Sequence, residues 1–124
     1  MARRLRPIRR RLARELVMKI LFQVDVGKLP LEEAKELAFE EVNVAPEDRR
    51  YIEDVCDGVL AHQSQLDQII RDLAEGWRLE RMANVDRNVL RIALYEILYR
   101  DDVPDVVAVN EAVEIAKKYS TEES

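Results

Sequence analysis

The chain has 124 residues, of which 48% are hydrophobic and 36% charged, with three Gly, four Pro and a net charge of −5. A chain of this length can bury roughly two thirds of its unfolded surface and needs neither disulfides nor metal to hold a core. The composition excludes collagen-like and disordered chains and favours helix. Its longest apolar runs, such as Val106 to Val109, are four residues, well short of the roughly twenty that a membrane span requires. The single cysteine, Cys56, excludes an internal disulfide framework and suits a reducing, cytoplasmic compartment.

Charge is divided unevenly. Residues 1–14 carry seven arginines (Arg3, Arg4, Arg6, Arg9, Arg10, Arg11 and Arg14) and no acid, whereas the rest of the chain carries a net −12. No apolar stretch follows this arm, so it is not a secretory signal, and without Ser it is a poor mitochondrial presequence. An acidic body repels polyanions, so a concentrated basic arm marks a local phosphate-binding element, or else a tail that docks on the acidic body. The arm uses only Arg, whose planar fork pairs with phosphate and stacks on bases.

In chain order, Leu12, Leu16, Val17, Ile20, Leu21 and Val24 follow helical spacing from Arg9 to Val26, with Gly27 and Pro30 ending the helix. A short helix follows over Leu31–Val42, with Leu31, Ala34, Leu37 and Ala38 inward; its Glu32, Glu36 and Glu40 read as a solvated face rather than metal ligands. Pro46 suits a first helical position, and the helix it opens turns Tyr51, Ile52, Val55 and Val59 inward. Ser64 and Asp67 read as a capping box opening a helix that buries Leu66, Ile69, Ile70 and Leu73 and closes at Gly76.

Residues 77–83 form a connector with one helical turn, anchored in the core by Trp77. Asp86–Tyr99 is a central helix with Leu90, Ala93, Leu94, Ile97 and Leu98 on one face, widened by Val89, Ile92 and Tyr95. After the break at Pro104, the last helix runs over Val106–Tyr119 with Val109, Ala112, Val113 and Ala116 inward. The fold class is all-α: two packed three-helix sub-bundles, an N-terminal one over residues 1–62 and a C-terminal one over residues 63–124.

Catalysis has little support. The glycines Gly27, Gly58 and Gly76 are too dispersed for a phosphate loop. Cys56 and His62 lie about 240° apart around a helix, which separates a nucleophile from its base. His62 reads as a polar helix-end residue and Cys56 as a small semi-buried hydrophobe. The chain is expected to be no enzyme, with no cofactor and no metal.

The block Trp77-Arg78-Leu79-Glu80-Arg81-Met82, continued by Val85-Asp86-Arg87-Asn88-Val89-Leu90-Arg91-Ile92-Ala93-Leu94-Tyr95-Glu96-Ile97-Leu98, resembles the C-terminal half of the NusB transcription antitermination family. The likeness continues through Val103-Pro104 and Val109-Asn110-Glu111-Ala112-Val113-Glu114-Ile115-Ala116-Lys117. Arg9 to Glu15 and Leu21-Phe22-Gln23 resemble the family's arginine-rich first helix. The resemblance implies two small helical bundles packed together. It further implies that the protein binds boxA, a single-stranded RNA element of leader transcripts including ribosomal RNA operons. The partner would be the ribosomal protein NusE, within the RNA polymerase antitermination complex.

It also implies an RNA-binding set: Arg10, Arg11, Arg14, Phe22, Asp86, Tyr119 and Glu123. Arg10 and Arg14 are i,i+4 neighbours that build one basic ridge, with Arg11 on its edge. Phe22 either stacks on a base or belongs to the core. Asp86 either accepts from a base or favours the N-terminus of its helix. Tyr119 either stacks or closes the last helix. Asn110 and Glu111 read as structural, and Arg87 and Arg91 either bind RNA or pair with nearby acids.

Family members usually continue past Tyr119–Ser124 into a further helix that opens with an aromatic residue, and here the chain stops at Ser124. The resemblance thus implies an exposed apolar groove on the second bundle and a tendency to homodimerise. Two other readings stay open: the RNA-guiding domain of a ribosomal RNA cytosine methyltransferase, and a protein-interaction module without direct RNA binding. A helix-turn-helix DNA regulator fits less well, because the basic residues lie in an N-terminal arm rather than a second, exposed helix.

Overall fold

The computed structural model describes residues 9–74 and 78–120. Trp77, Gly76, Glu123 and the arginines before Arg9 lie outside the described residues, as does the side chain of Arg9. Six α-helices occur among the described residues, with no strand: α1 (Arg9–Asp25), α2 (Leu31–Glu41), α3 (Pro46–Ala61), α4 (Gln63–Leu73), α5 (Asn84–Tyr99) and α6 (Asp105–Ser120). A 3-10 turn, Leu79–Arg81, supplies the one helical turn of the connector. No described helix is long and apolar enough to cross a membrane.

Local chemistry accounts for the ends. Pro46 opens α3 with Glu47 and Asp48 in its first turn, where carboxylates meet the positive end of the helix dipole. After α1 the chain turns through Gly27 and through Lys28, whose φ of 60° is left-handed. A Cβ at Gly27 would stand 2.8 Å from the Gln23 carbonyl oxygen, the close approach that only glycine allows. The predicted capping box does not form. Ser64 already lies inside α4, no side chain caps that helix at His62, and Asp67 is engaged elsewhere.

Contacts divide the chain into two compact units, Met1–Cys56 and Asp57–Ser124, so the division falls inside α3. In the first unit α1 packs on α2. Its core comprises Val17, Ile20, Leu21, Ala34, Tyr51, Ile52, Val55 and a fully buried Cys56. Lys35 is buried on α2, and its ammonium donates to Glu53 Oε1 at 2.7 Å and Glu32 Oε2 at 3.3 Å. Leu37, expected inward, is exposed.

In the second unit α5 packs on α6 and on α4. Val59, Leu66, Ile70, Leu79, Val89, Ile92, Tyr95, Ala108 and Ile115 are buried there. The ring of Tyr95 lies directly against α3 at Gly58, where any Cβ would overlap it. His62 is stacked on Tyr99 with centroids 4.3 Å apart and planes 17° apart, and Tyr99 donates to Gln65 Oε1 at 2.6 Å. Glu80, in the 3-10 turn, is held below the usual carboxylate range by a backbone hydrogen bond and by the Arg71 guanidinium, 3.2 Å away.

The inward faces of α5 and α6 differ from those expected. α5 buries Asn88, Val89, Arg91, Ile92, Ala93, Tyr95 and Glu96, leaving Leu90 and Leu98 exposed. Arg91 donates from Nε and Nη2 to the two oxygens of Asp67 at 2.8 and 3.0 Å, and from Nη1 to Asn88 Oδ1 at 3.1 Å. This fork-to-fork geometry compensates the burial of two charges. The alternative left open for Arg91 thus resolves toward an acid partner. Arg87 donates to the Leu79 carbonyl and to Asn84. On α6 the buried residues are Ala108 and Ile115; Val109 and Val113 are exposed, the reverse of the expectation. Leu73 of α4 is exposed as well.

Candidate nucleic-acid interface

In the first unit α3 receives one side of α1, and Tyr51 is the contact plate. The Arg10 guanidinium carbon sits 4.2 Å from the Tyr51 ring centroid and that of Arg14 5.6 Å. Both lie within the range of cation–π attraction. Arg10 Nε also approaches Asp48 Oδ1 at 3.5 Å. The i,i+4 spacing therefore does place Arg10 and Arg14 together, on a tyrosine rather than on an open ridge. Their accessibility differs sharply: the Arg10 side chain keeps 30% exposure, whereas Arg14 is buried at 5%. Arg11 points to the surface.

This arrangement suits phosphate recognition. A guanidinium laid over an aromatic face has already lost much of its rotamer freedom and keeps N–H edges for an anion. Phe22 is half-buried on the same helix. It lies eleven residues after Arg11, close to three full turns, so the two fall on one line about 17 Å long. That line can offer a charge for phosphate and a ring for a base. Beside it, a cavity of about 550 Å³ opens between α1 and the residues before α3, lined by Leu12, Leu16, Lys19, Val42, Val44 and Ile52.

In the second unit the start of α5, with Asp86, meets the end of α6, which carries Tyr119 and Ser120. Asp86 lies in the first turn of α5 and accepts a hydrogen bond from Ser120 Oγ at the end of α6. Tyr119 is half-buried, with the Lys118 ammonium 5.3 Å from its ring centroid. The Asp86 carboxylate thus joins the start of α5 to the end of α6 through Ser120, the residue next to Tyr119 in the chain. Asn110 is exposed, and no group of His, Cys, Asp and Glu suited to a metal ion occurs among the described residues.

Sequence reasoning passed over Tyr51, Asp48 and Ser120. Tyr51 sits among Ile52 and Val55 on the inward face of its helix, so it reads as core, which it also is. Its second role depends on which helix crosses it, and spacing within α3 carries no such signal.

The profile of the NusB family matches residues 11–124. The transcription antitermination protein NusB of Desulforudis audaxviator is 47% identical over 117 residues, covering 94% of this chain and 85% of that protein. Its namesake in Bacillus subtilis is 42% identical, covering 94% of this chain and 86% of that protein. Among solved structures, T. maritima NusB superposes with a TM-score of 0.82 at 37% identity, covering 89% of this chain and 78% of that one. A complex of the antitermination factors NusB and NusE with double-stranded RNA gives a TM-score of 0.82 at 23% identity, covering 92% and 85%, a likeness of fold.

Proposed function

The chain belongs to the NusB family, and from that premise we propose that it is an RNA-binding transcription antitermination factor that engages boxA RNA together with NusE. The family is non-enzymatic. The observation that carries the RNA reading is the pair of arginines held on Tyr51, with the surface residue Arg11 beside them. Arg10 and Arg11 act as the phosphate-facing groups. Arg14 is the buried member, fixing α1 on α3 through Tyr51 rather than meeting solvent. Phe22 stacks on a base. At the junction of α5 and α6, Tyr119 offers a second aromatic contact and Asp86 an acceptor for a base amino group, its carboxylate oriented by Ser120. Glu123 belongs to this second group by its place in the family pattern. The setting is the cytoplasm, in the RNA polymerase antitermination complex.

Fluorescence anisotropy with a boxA-like RNA and a scrambled control, with and without NusE, tests this reading. Preferential boxA binding strengthened by NusE is expected. With about four phosphate contacts, log K falls against log salt with a slope near −3. Arg10→Ala combined with Arg11→Ala lowers affinity by about 100-fold and leaves helicity intact, since neither side chain is a core residue. Equal affinity of the double variant and the wild type would remove these arginines from the interface.

A further inference from the structure

The cavity beside α1 has no part in the contacts assigned to Arg10, Arg11 and Phe22. It holds about 550 Å³, inside the range of roughly 300–1,000 Å³ typical of small-ligand sites. Leu12, Leu16, Val42, Val44 and Ile52 give it apolar walls, and Leu12 is half-exposed. Two acidic residues, Glu15 and Asp48, also line it, and both are buried. Arg10 Nε approaches Asp48 at 3.5 Å but makes no hydrogen bond, so the Asp48 carboxylate is not committed to it. Carboxylates in an apolar recess accept from N–H donors and disfavour carbonyl oxygens.

The cavity is continuous with the arginine face of α1. Leu12, Glu15, Leu16 and Lys19 are spaced i, i+3, i+4 and i+7, which sets them in one stripe about 10 Å long. Arg11, Glu15 and Phe22, at i, i+4 and i+11, form the neighbouring stripe. Glu15 belongs to both. On α3, Asp48 is shared in the same way between the cavity and Arg10. Lys19 is exposed among the lining residues and brings a cation to the opening.

We infer that this cavity takes one base of the bound RNA strand, turned out of the stack, and that this base carries an exocyclic amino group. The inference rests on the RNA-binding reading of α1. Bases of an unpaired strand splay out readily, and proteins read them through apolar contact with the ring and hydrogen bonds to its edge. A strand that runs from Arg11 toward Phe22 passes the cavity at Glu15, one helical turn along. The leucine, valine and isoleucine walls meet the faces of the ring. Glu15 and Asp48 accept from the amino group of cytosine, adenine or guanine. Uracil offers two carbonyl oxygens there and is rejected. Asn43, exposed in the segment between α2 and α3, supplies a donor and an acceptor for the rest of the edge.

Anisotropy titrations of the full chain with NusE test this with a boxA-like RNA and a series in which each nucleotide in turn is abasic. One position bearing cytosine, adenine or guanine should lose about tenfold in affinity when its base is removed. Leu12→Trp puts an indole into the cavity from a half-exposed position, so circular dichroism should show helix content retained. It should weaken the intact RNA about tenfold and erase the abasic penalty at that one position. Exchanging the same base for uracil should cost as much as removing it. Glu15→Gln, whose amide donates to a carbonyl, should cut that cost to about threefold. Arg10→Ala combined with Arg11→Ala should weaken every RNA of the series alike.

Abasic penalties that match between wild type and Leu12→Trp at every position overturn the inference and leave the cavity to a protein side chain. A sensitive position occupied by uracil overturns the choice of base. A wild type that binds boxA through its arginines, with no position that depends on the cavity, keeps the RNA-binding reading and defeats this one alone. A wild type that binds none of the RNAs defeats both.

Discussion

Arg10 in the first unit and Arg91 in the second carry the same guanidinium into opposite circumstances. Arg91 is buried, and both oxygens of Asp67 meet its fork at 2.8 and 3.0 Å, so its charge is cancelled where it stands. Arg10 rests on the ring of Tyr51, with only a long approach to Asp48 at 3.5 Å, and keeps 30% of its side chain in solvent. A carboxylate fork neutralises a guanidinium and spends its hydrogen-bonding edges. An aromatic face holds the plane and leaves the edges available. The comparison separates an arginine that ties two helices through a carboxylate from one held on an aromatic face and left partly in solvent, a distinction that residue type and local charge cannot make.

The largest effect expected from breaking this contrast is in the second unit. Asp67→Ala leaves a buried guanidinium without its counter-ion and should cost about 3–5 kcal/mol of folding stability in a urea titration. A loss below about 1 kcal/mol would mean that water or another acid takes over the pairing. In the first unit the tyrosine takes the place of the carboxylate, so Tyr51→Leu is the matching change. It should cost about 1 kcal/mol through the lost cation–π contacts and weaken boxA binding several-fold, whereas Tyr51→Phe keeps the ring and should retain boxA binding. If Tyr51→Leu binds RNA as the wild type does, the ring is only a packing group. The smallest effect lies at the junction of α5 and α6. Ser120→Ala removes the hydrogen bond to Asp86 and should lower stability by about 0.5–1.5 kcal/mol in the same titration.

Much of this was open to a reader of the sequence, because helix spacing is a local property. All six helices are legible from apolar spacing and from Pro46 and Gly27, although α4 ends at Leu73, short of the predicted close at Gly76, which lies outside the described residues. The inward faces were harder. α6 carries Val106, Val107, Ala108, Val109, Ala112, Val113, Ile115 and Ala116, an apolar set that surrounds most of the helix. Periodicity cannot choose a face where nearly every face qualifies, and packing on α5 selected Ala108 and Ile115. Asp67 and Arg91 are 24 residues apart on different helices; Asp67 alone reads as a helix cap and Arg91 alone keeps two readings, so neither helix by itself shows that they meet. The basic arm is plain in the sequence, but the different exposure of Arg10 and Arg14 required knowing that Tyr51 meets α1.

The contact between Tyr95 and Gly58 has a consequence for how this sequence can change. The ring occupies the space of a Cβ at position 58, so no other amino acid fits there while the tyrosine remains. Glycine in the middle of α3 costs about 1 kcal/mol of helix propensity relative to alanine. A single substitution to alanine cannot recover it, because the gain is overtaken by a steric clash. The two positions, on α3 and α5, are bound as a mutational couple: drift at 58 must wait until 95 has shrunk, and a smaller residue at 95 alone leaves a void. Lineages that carry the tyrosine should therefore carry the glycine, and where one is lost the other should be free to vary.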